Sequence, residues 1–228
     1  MRYTTLLFDL DHTLLDSDES ERLAYAHTMA AIGLPDPDDH FERYVAINQA
    51  MWHAVEAGTI QPSEVRHRRF EQFTTELAID ADPHAMADTF VWGLGAHGAL
   101  YDGARDVLEE LSAVARLAMI TNGLSDVQRT RIDRLSIGDY FHTVVISSEV
   151  GVTKPRPEIF DIAFDGLGQP DRASSLMIGD SLTSDIAGGR NYGIDTCWYN
   201  PNAKTGADGQ VTHEVSDLAH IGPIVIGA

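Results

Sequence analysis

The amino-acid sequence predicts an α/β fold, a parallel sheet covered by helices on both faces and split by an all-helical insert after its first strand. From about residue 103 onward, short runs rich in Val, Ile and Leu alternate with helical segments, which is the pattern of a buried parallel sheet. Between residues 17 and 92 the apolar spacing is helical and no convincing strand occurs. The first strand is therefore separated from the others by a long helical segment.

The first strand is predicted at residues 3–9, a short apolar run that ends in a carboxylate. Helices are then expected at residues 18–32, 38–57, 63–78 and 83–92. Their boundaries are marked by Gly33, Pro35, Pro37, Pro62 and Pro83. The glycine-rich stretch 93–98 is expected to be a hinge that ends the insert.

Strands and helices alternate after this hinge. The predicted strands are residues 116–121, 143–147, 176–179 and 195–199, with a short last strand at 211–215. The predicted helices are residues 103–113, a helix that begins at Ser125, residues 157–166, residues 184–192 and a final turn capped by Ser216. Gln128 follows Ser125 by three residues, which is the spacing of a capping box.

Composition and charge exclude several classes of protein. A length of 228 residues suffices for one large domain or a domain with an insert. The net charge of −19, with Lys154 and Lys204 as the only lysines, argues against a protein that binds duplex nucleic acid. The single cysteine, Cys197, excludes an intrachain disulfide and a cysteine-based zinc site, and we expect its thiol to be buried.

The apolar runs are shorter than a membrane span, so we expect no membrane segment. The chain runs from Met1 directly into the first strand without the layout of a signal peptide. We therefore expect a cytoplasmic protein.

Polar clusters follow four of the predicted strands, at the sheet edge where doubly wound folds bind their ligands. The first cluster contains Asp9 and Asp11. Two carboxylates this close beyond a buried strand repel each other unless a cation lies between them, and Mg²⁺ fits such oxygen ligands. By itself the cluster is also compatible with a turn or a helix cap.

The second cluster is Thr121-Asn122-Gly123, whose hydroxyl, amide and backbone N–H would form a cradle for an anion before a helix. An ordinary loop leading into a helix cap is the alternative. The third cluster contains Lys154, followed by Pro155 and Pro157 at a helix start. Its ammonium group could neutralise both a phosphate and a neighbouring carboxylate, and an exposed loop cation is the alternative.

The fourth cluster contains Asp180, expected to bind the metal opposite Asp9, and Asp185, expected to hold a metal-bound water or to orient Lys154. Ser184 or Asp185 could instead be a simple N-cap. The four alternatives would all have to hold at four successive strand ends, so the clusters together indicate a phosphate site with a metal.

In these four motifs the chain resembles the haloacid dehalogenase superfamily, and the similarity covers nearly the whole sequence. The resemblance implies a Rossmann-like three-layer core of residues 1–16 and 94–228, with a parallel sheet, and an inserted helical C1-type cap of residues 17–93. It implies Mg²⁺ as cofactor. The implied roles are Asp9 as nucleophile, Asp11 as general acid and base, Thr121 and Lys154 as phosphate ligands, and Asp9, the Asp11 carbonyl and Asp180 as metal ligands.

The second carboxylate of the first motif separates two chemistries within this superfamily. Its dehalogenases lack that carboxylate because no leaving alkoxide needs a proton, whereas Asp11 is present here. The resemblance therefore implies a phosphatase that forms an aspartyl-phosphate on Asp9. His12 departs from the glycine that many members carry next; it would narrow the space above the nucleophile or simply face solvent.

Parts of the insert and core also resemble a narrower group, the bacterial pyrimidine 5′-nucleotidases that remove phosphate from nucleoside monophosphates. The similar segments are residues 45–48, Trp52, residues 58–60, 67–71, 120–123, 146–155 and 197–200. This similarity implies a small phosphorylated metabolite as the partner. The alternatives are a phosphatase of sugar phosphates or phosphoglycolate, a sugar phosphomutase, and a non-catalytic binding module.

Overall fold

The computed structural model describes residues 1–34, 38–207 and 209–227. The predicted helix breakers Pro35 and Pro37 lie outside the described residues. Within these ranges the protein contains one sheet of six parallel strands in the order β3-β2-β1-β4-β5-β6. The strands are β1 Thr5–Phe8, β2 Arg116–Thr121, β3 Thr143–Ile146, β4 Ser175–Gly179, β5 Asp195–Tyr199 and β6 His213–Val215.

The sheet has its topological switch point at β1, which pairs with β2 on one side and with β4 on the other. In the ladder Phe8 lies opposite Met119 and Ile178. The residues that follow these three strands therefore meet at one edge of the sheet, where open α/β folds bind their ligands. The predicted α/β class with a parallel sheet is confirmed.

Helices cover both faces of the sheet because successive strand residues point to opposite sides. Leu6 and Phe8 pack in one apolar cluster with residues of the helices before β2 and at the chain end, and Leu7 packs in the other cluster with Phe160. The helices after the insert are α5 Ala104–Ser112, α6 Ser125–Arg134, α7 Ser147–Val150, α8 Pro157–Gly166, α9 Ala187–Tyr192 and α10 Ile221–Ile226. A π-helical turn, Leu182–Ile186, precedes α9.

Between β1 and α5 the described residues form four long helices, as the sequence predicted. They are α1 Ser17–Ala31, α2 Phe41–Glu56, α3 Pro62–Leu77 and α4 Pro83–Ala96. Their apolar faces form a separate cluster built largely from aromatic side chains, which include Tyr25, Tyr44, Phe70, Phe73 and Phe90. The division of the chain into a core domain and a cap domain stays a prediction.

The prediction of a glycine-rich hinge at residues 93–98 is wrong for its first part, because α4 continues to Ala96. Gly93 and Gly95 instead allow close helix packing. A Cβ atom at Gly93 would lie 2.8 Å from the Cα atom of Ala24 in α1, and one at Gly95 would lie 2.9 Å from the Thr130 side chain in α6. These glycines bring α4 close to both neighbouring helices.

The predicted capping box at the start of α6 is also wrong. The helix begins at Ser125 as expected, but the Ser125 hydroxyl donates to Glu149 Oε1 at 2.6 Å instead of capping the helix. The Gln128 side chain points away from the helix start toward Asp11 and Thr121. The spacing of Ser125 and Gln128 fits a capping box, but both side chains bond residues of other elements instead.

The sequence predicted that the thiol of Cys197 is buried. Cys197 lies fully buried in β5, and burial raises the pKa of its thiol to about 12. Among the described residues, no helix has both the length and the apolar character needed to span a bilayer.

Candidate active site

Asp9 and Lys154 form the centre of the site. Asp9 directly follows β1 and its backbone N–H donates to the Ile178 carbonyl of β4 at 2.9 Å, which extends the ladder by one residue. Lys154 Nζ lies 2.5 Å from Asp9 Oδ1 and donates to the Ile120 carbonyl at 2.7 Å. The lysine is 1% exposed, so it is not a solvated loop cation.

Asp185 binds the same lysine from the other side. Its Oδ1 atom lies 2.7 Å from Lys154 Nζ, and its Oδ2 atom accepts from the Ser181 N–H at 3.0 Å. A Cβ atom at Gly179, the last residue of β4, would overlap the Asp185 carboxyl group, so only glycine allows this approach. The observed N-cap of this helical turn is Ser181, which leaves Asp185 free to orient Lys154.

Asp180 follows β4 and completes an acidic cluster with Asp9 and Asp185. One carboxylate oxygen from each of the three residues lies within 4.8 Å of the others. The backbone of Asp180 is fixed because its carbonyl accepts from Trp198 Nε1 of β5 at 2.7 Å. Burial and the nearby Asp185 raise the pKa of Asp180 to about 6.

The carboxylates of this site carry more negative charge than Lys154 can neutralise, which favours a bound divalent cation. Burial raises the pKa of Asp9 well above its usual value, and Asp185, Asp11 and Asp180 raise it further against the attraction of Lys154. Burial alone would lower the pKa of Lys154, but Asp185 and Asp9 raise it, so the lysine stays charged. A hard cation with oxygen ligands would offset the excess of buried carboxylates. The donor set therefore fits Mg²⁺.

Asp11 faces a different set of partners. Its Oδ1 atom accepts from the Ser17 hydroxyl at 2.6 Å and from Arg131 Nη1 at 2.7 Å, and its Oδ2 atom accepts from Gln128 Nε2 at 2.5 Å. Burial would raise the pKa of Asp11, but Arg131 and these hydrogen bonds lower it. Among the described residues the Asp11 carboxylate is not part of the metal-sized acidic cluster.

Thr121 lies at the end of β2 and is fully buried. Its hydroxyl oxygen accepts from Gln128 Nε2 at 2.7 Å, which leaves the hydroxyl proton available for an acceptor such as a phosphate oxygen. Gln128 thus links Thr121 to Asp11 and sets the orientation of both.

The predicted anion cradle at Asn122 and Gly123 needs correction. Asn122 donates from Nδ2 to the Lys154 carbonyl and accepts the Lys154 N–H at Oδ1, both at 3.0 Å. The Gly123 N–H donates to the Ser147 hydroxyl at 3.0 Å. These donors are engaged inside the protein, so Asn122 positions the backbone of Lys154 and Gly123 anchors the loop to α7.

The sequence motifs do not include three residues that shape the site, namely Ser17, Gln128 and Arg131. Arg131 is 4% exposed and also contacts the insert at both of its ends, through Ser20 Oγ at 2.9 Å and the Leu94 carbonyl at 3.0 Å. The available signal was the spacing of Gln128 and Arg131, which lie one turn apart on one face of a helix that follows the second motif.

The four-helix segment contacts the catalytic edge in this structure. Glu56, the last residue of α2, accepts from the Thr183 hydroxyl at 3.1 Å. Arg66 of α3 pairs with Asp126 of α6. His12 has a φ of 59°, which explains why glycine suits this place in the loop, and its half-exposed ring lies 3.7 Å from Asp18. The insert therefore covers the edge that holds Asp9.

Comparison with known proteins gives concordant matches over most of the chain. A family model for haloacid dehalogenase-like hydrolases matches residues 3–193. Pyrimidine 5′-nucleotidase YjjG of Escherichia coli is 34% identical over 214 residues, 92% of this chain and 91% of that protein. Pyrimidine 5′-nucleotidase PynA of Streptococcus pneumoniae is 35% identical over 219 residues, 94% of this chain and 92% of that protein.

Among solved structures, YfnB of Bacillus subtilis, which carries the name HAD-hydrolase, aligns with a TM-score of 0.90 at 34% identity and covers 99% of both chains. That crystal structure was solved bound to magnesium and reveals interdomain movement. L-2-haloacid dehalogenase from Xanthobacter autotrophicus shares the fold, with a TM-score of 0.78 at 18% identity.

Proposed function

Because the chain belongs to the haloacid dehalogenase-like hydrolase family, as its four motifs predicted, we propose that it is a Mg²⁺-dependent phosphatase of nucleoside 5′-monophosphates that prefers pyrimidines. The observation that carries the phosphatase proposal is Asp11. A second carboxylate beside the nucleophile has a use when a leaving alkoxide needs a proton, and it has none when the leaving group is a halide.

The proposal of a nucleotide substrate is supported by relatives of this chain. Two pyrimidine 5′-nucleotidases match more than nine-tenths of this chain at 34% and 35% identity. The insert segments that resemble this group in sequence contain Asn48, Trp52 and Arg69 of α2 and α3. The similarity is therefore not confined to the catalytic motifs that all phosphatases of the family share.

The first half of the reaction uses Asp9 as the nucleophile. An Asp9 carboxylate oxygen attacks the phosphorus atom, the bond to the ester oxygen breaks, and a phosphoryl group is left on Asp9. Asp11, which has to carry a proton at this stage, gives it to the departing oxygen and becomes a carboxylate. Both Asp11 oxygens accept hydrogen bonds in this structure, so the carboxyl group must release some of these contacts to reach the substrate.

In the second half, Asp11 takes a proton from a water molecule, which attacks the phosphorus atom and releases phosphate and free Asp9. Lys154 neutralises charge beside the phosphoryl group and the Thr121 hydroxyl can donate to one of its oxygens. Asp9, Asp180 and the Asp11 carbonyl would hold Mg²⁺, with Asp185 behind them. When bound, the ion supplies positive charge that offsets the carboxylates and the phosphate.

A panel of phosphate esters with Mg²⁺, read by release of inorganic phosphate, tests the proposal. We expect UMP, dUMP and dTMP to be turned over faster than AMP and GMP, and much faster than phosphoglycolate and hexose phosphates. Faster turnover of phosphoglycolate or of hexose phosphates would favour the sugar-phosphate or phosphoglycolate alternative. Isomerisation of a hexose phosphate without phosphate release would identify a mutase, and no turnover of any ester would favour a binding module.

A further inference from the structure

A polar cluster in the insert lies next to the catalytic edge and has no role in the phosphate chemistry. Glu21 of α1, Asn48 of α2 and Arg69 of α3 form it. Asn48 Nδ2 donates to Glu21 Oε1 at 2.5 Å, and Asn48 Oδ1 accepts from Arg69 Nη1 at 3.3 Å. Three different helices of the insert thus converge on a single amide group.

Packing holds the Arg69 side chain of this cluster in place. This side chain is 2% exposed and its guanidinium carbon lies 4.5 Å from the centre of the Phe90 ring. Its Nε and Nη2 atoms have no hydrogen-bond partner among the described residues. Burial and the contact with the Phe90 ring therefore hold the guanidinium group in place beside Asn48.

Asn48 itself is half-exposed, and its orientation is fixed by the two neighbours. A carboxamide has two N–H donors and two acceptor lone pairs, and the contacts with Glu21 and Arg69 use one of each. One N–H donor and one acceptor lone pair of the amide therefore remain for a further partner. An asparagine amide in this state can pair with the edge of a nucleobase through two hydrogen bonds.

The same face of α2 continues toward the catalytic edge. Asn48, Trp52 and Glu56 are spaced by four residues, so they lie on neighbouring turns of one face. All three are half-buried, and Glu56 reaches the Thr183 hydroxyl beside Asp185. The axial distance from Asn48 to Glu56 is about 12 Å at 1.5 Å per residue, a span on the scale of a mononucleotide.

The other end of the cluster also approaches the nucleophile loop. Glu21 lies one turn after Ser17, whose hydroxyl donates to Asp11. Burial raises the pKa of Glu21, and the nearby charges of Arg69 and His12 oppose that shift. Glu21 is thus close to the loop that carries Asp9 and Asp11 and also close to the interior of the insert.

We propose that Asn48, held by Glu21 and Arg69, recognises the hydrogen-bonding edge of the leaving group's base, and that Trp52 provides the apolar surface against which the base stacks. The proposal rests on the proposed nucleotidase function and extends it by naming residues that determine specificity. The ligand chemistry is a flat heterocycle with an adjacent donor and acceptor. Arg69 and Glu21 act as positioning residues because they fix the amide.

The test compares UMP with ribose 5-phosphate, which has the same ester and sugar but no base. For each variant the ratio of the two kcat/KM values measures what the base contributes, and partial loss of folded enzyme cancels from it. We expect Asn48→Ala to lower this ratio about tenfold, because the pair of hydrogen bonds to the base is lost, and the change should appear in the KM for UMP. We expect Trp52→Leu to lower the ratio as well, because the stacking surface is lost. Gln49→Ala, an exposed neighbour in α2, is the control and should leave the ratio as in the wild type.

The outcomes separate the two proposals. A wild-type enzyme that prefers UMP, with a ratio unchanged in both Asn48→Ala and Trp52→Leu, overturns the assignment of the base site and leaves the nucleotidase function intact. A wild-type ratio near one overturns the nucleotidase function and the base site together. A fall in the ratio for Gln49→Ala equal to that for Asn48→Ala also overturns the inference, because the effect would then not be specific to the amide.

Discussion

Arg131 donates from Nη1 to Asp11 Oδ1 at 2.7 Å, so the carboxylate proposed as general acid and base is held by a buried guanidinium from α6. The same arginine bonds Ser20 Oγ and the Leu94 carbonyl, where the chain enters and leaves the insert. Arg131 therefore connects the catalytic loop to both crossings between the sheet and the four-helix segment.

Replacement of Arg131 should destabilise the protein strongly. Arg131→Gln leaves the partly buried Asp11 carboxylate without its cation, and the cost should lie near the lower end of the about 3–5 kcal/mol lost when one partner of a fully buried pair is removed. The matched control is Arg129→Gln, since Arg129 pairs with Glu149 at the partly exposed surface of the same helix and such pairs contribute less than about 1 kcal/mol. Urea unfolding measures the free energy of unfolding of both variants. Equal losses in the free energy of unfolding of the two variants would show that the Arg131–Asp11 pair stabilises the protein no more than the surface pair does.

Asp9→Asn should lower turnover of the best substrate at least about a thousandfold, because an amide oxygen is too weak a nucleophile to form the phosphoryl intermediate. The fold should survive, since Lys154 keeps its contacts with Asp185 and the Ile120 carbonyl. Phosphate release and circular dichroism are the measurements. Asp102→Asn, at an exposed residue before α5, is the control. Activity retained in Asp9→Asn would remove Asp9 from the reaction.

Asp180→Asn should weaken metal binding because one carboxylate of the acidic cluster is lost. We expect the Mg²⁺ concentration for half-maximal activity to rise about tenfold or more. A second readout is independent of turnover, since Mg²⁺ that binds the folded state raises Tm, and this rise should be much smaller in the variant. Asp102→Asn should behave as the wild type in both measurements. An unchanged Mg²⁺ requirement would place the metal elsewhere.

Cys197 should be inert toward thiol reagents in the native protein. Burial raises the pKa of this thiol to about 12, so at pH 8 the reactive thiolate is a fraction of about one in ten thousand. As the chain has a single cysteine, the stoichiometry of labelling by a chromogenic disulfide is unambiguous. We expect almost no labelling of the native protein and one thiol per chain in guanidinium chloride. Rapid native labelling would contradict the burial.

Much of the fold could be predicted because each element has a local cause. Pro62 and Pro83 begin α3 and α4 as the sequence indicated. The short apolar runs became strands because a buried parallel strand needs side chains for both faces of the sheet. The errors occurred where a residue served a distant partner. Gly93 looked like a hinge residue, but it makes room for Ala24 of α1.

The candidate site divides in the same way. Asp9 and Asp180 were predictable because each directly follows its own strand, and parallel strands bring their carboxyl ends to one edge. Lys154 reaches the same edge from the loop after β3 and the short helix α7. The directions of the side chains were not predictable. The Asn122 amide faces the backbone of Lys154, and Gln128 leaves its helix start to reach Asp11.

The sequence by itself thus determined the order of the elements, the parallel sheet and the four motifs that carry the nucleophile, the hydroxyl, the lysine and the acidic pair. Only the tertiary structure decided which groups hold Asp11 and which amide of the insert is fixed between Glu21 and Arg69. The physical reason is that strand and helix periodicity is local, whereas an ion pair forms between residues as far apart in the chain as Asp11 and Arg131, whose distance in space is set by the packing of α6 against the insert.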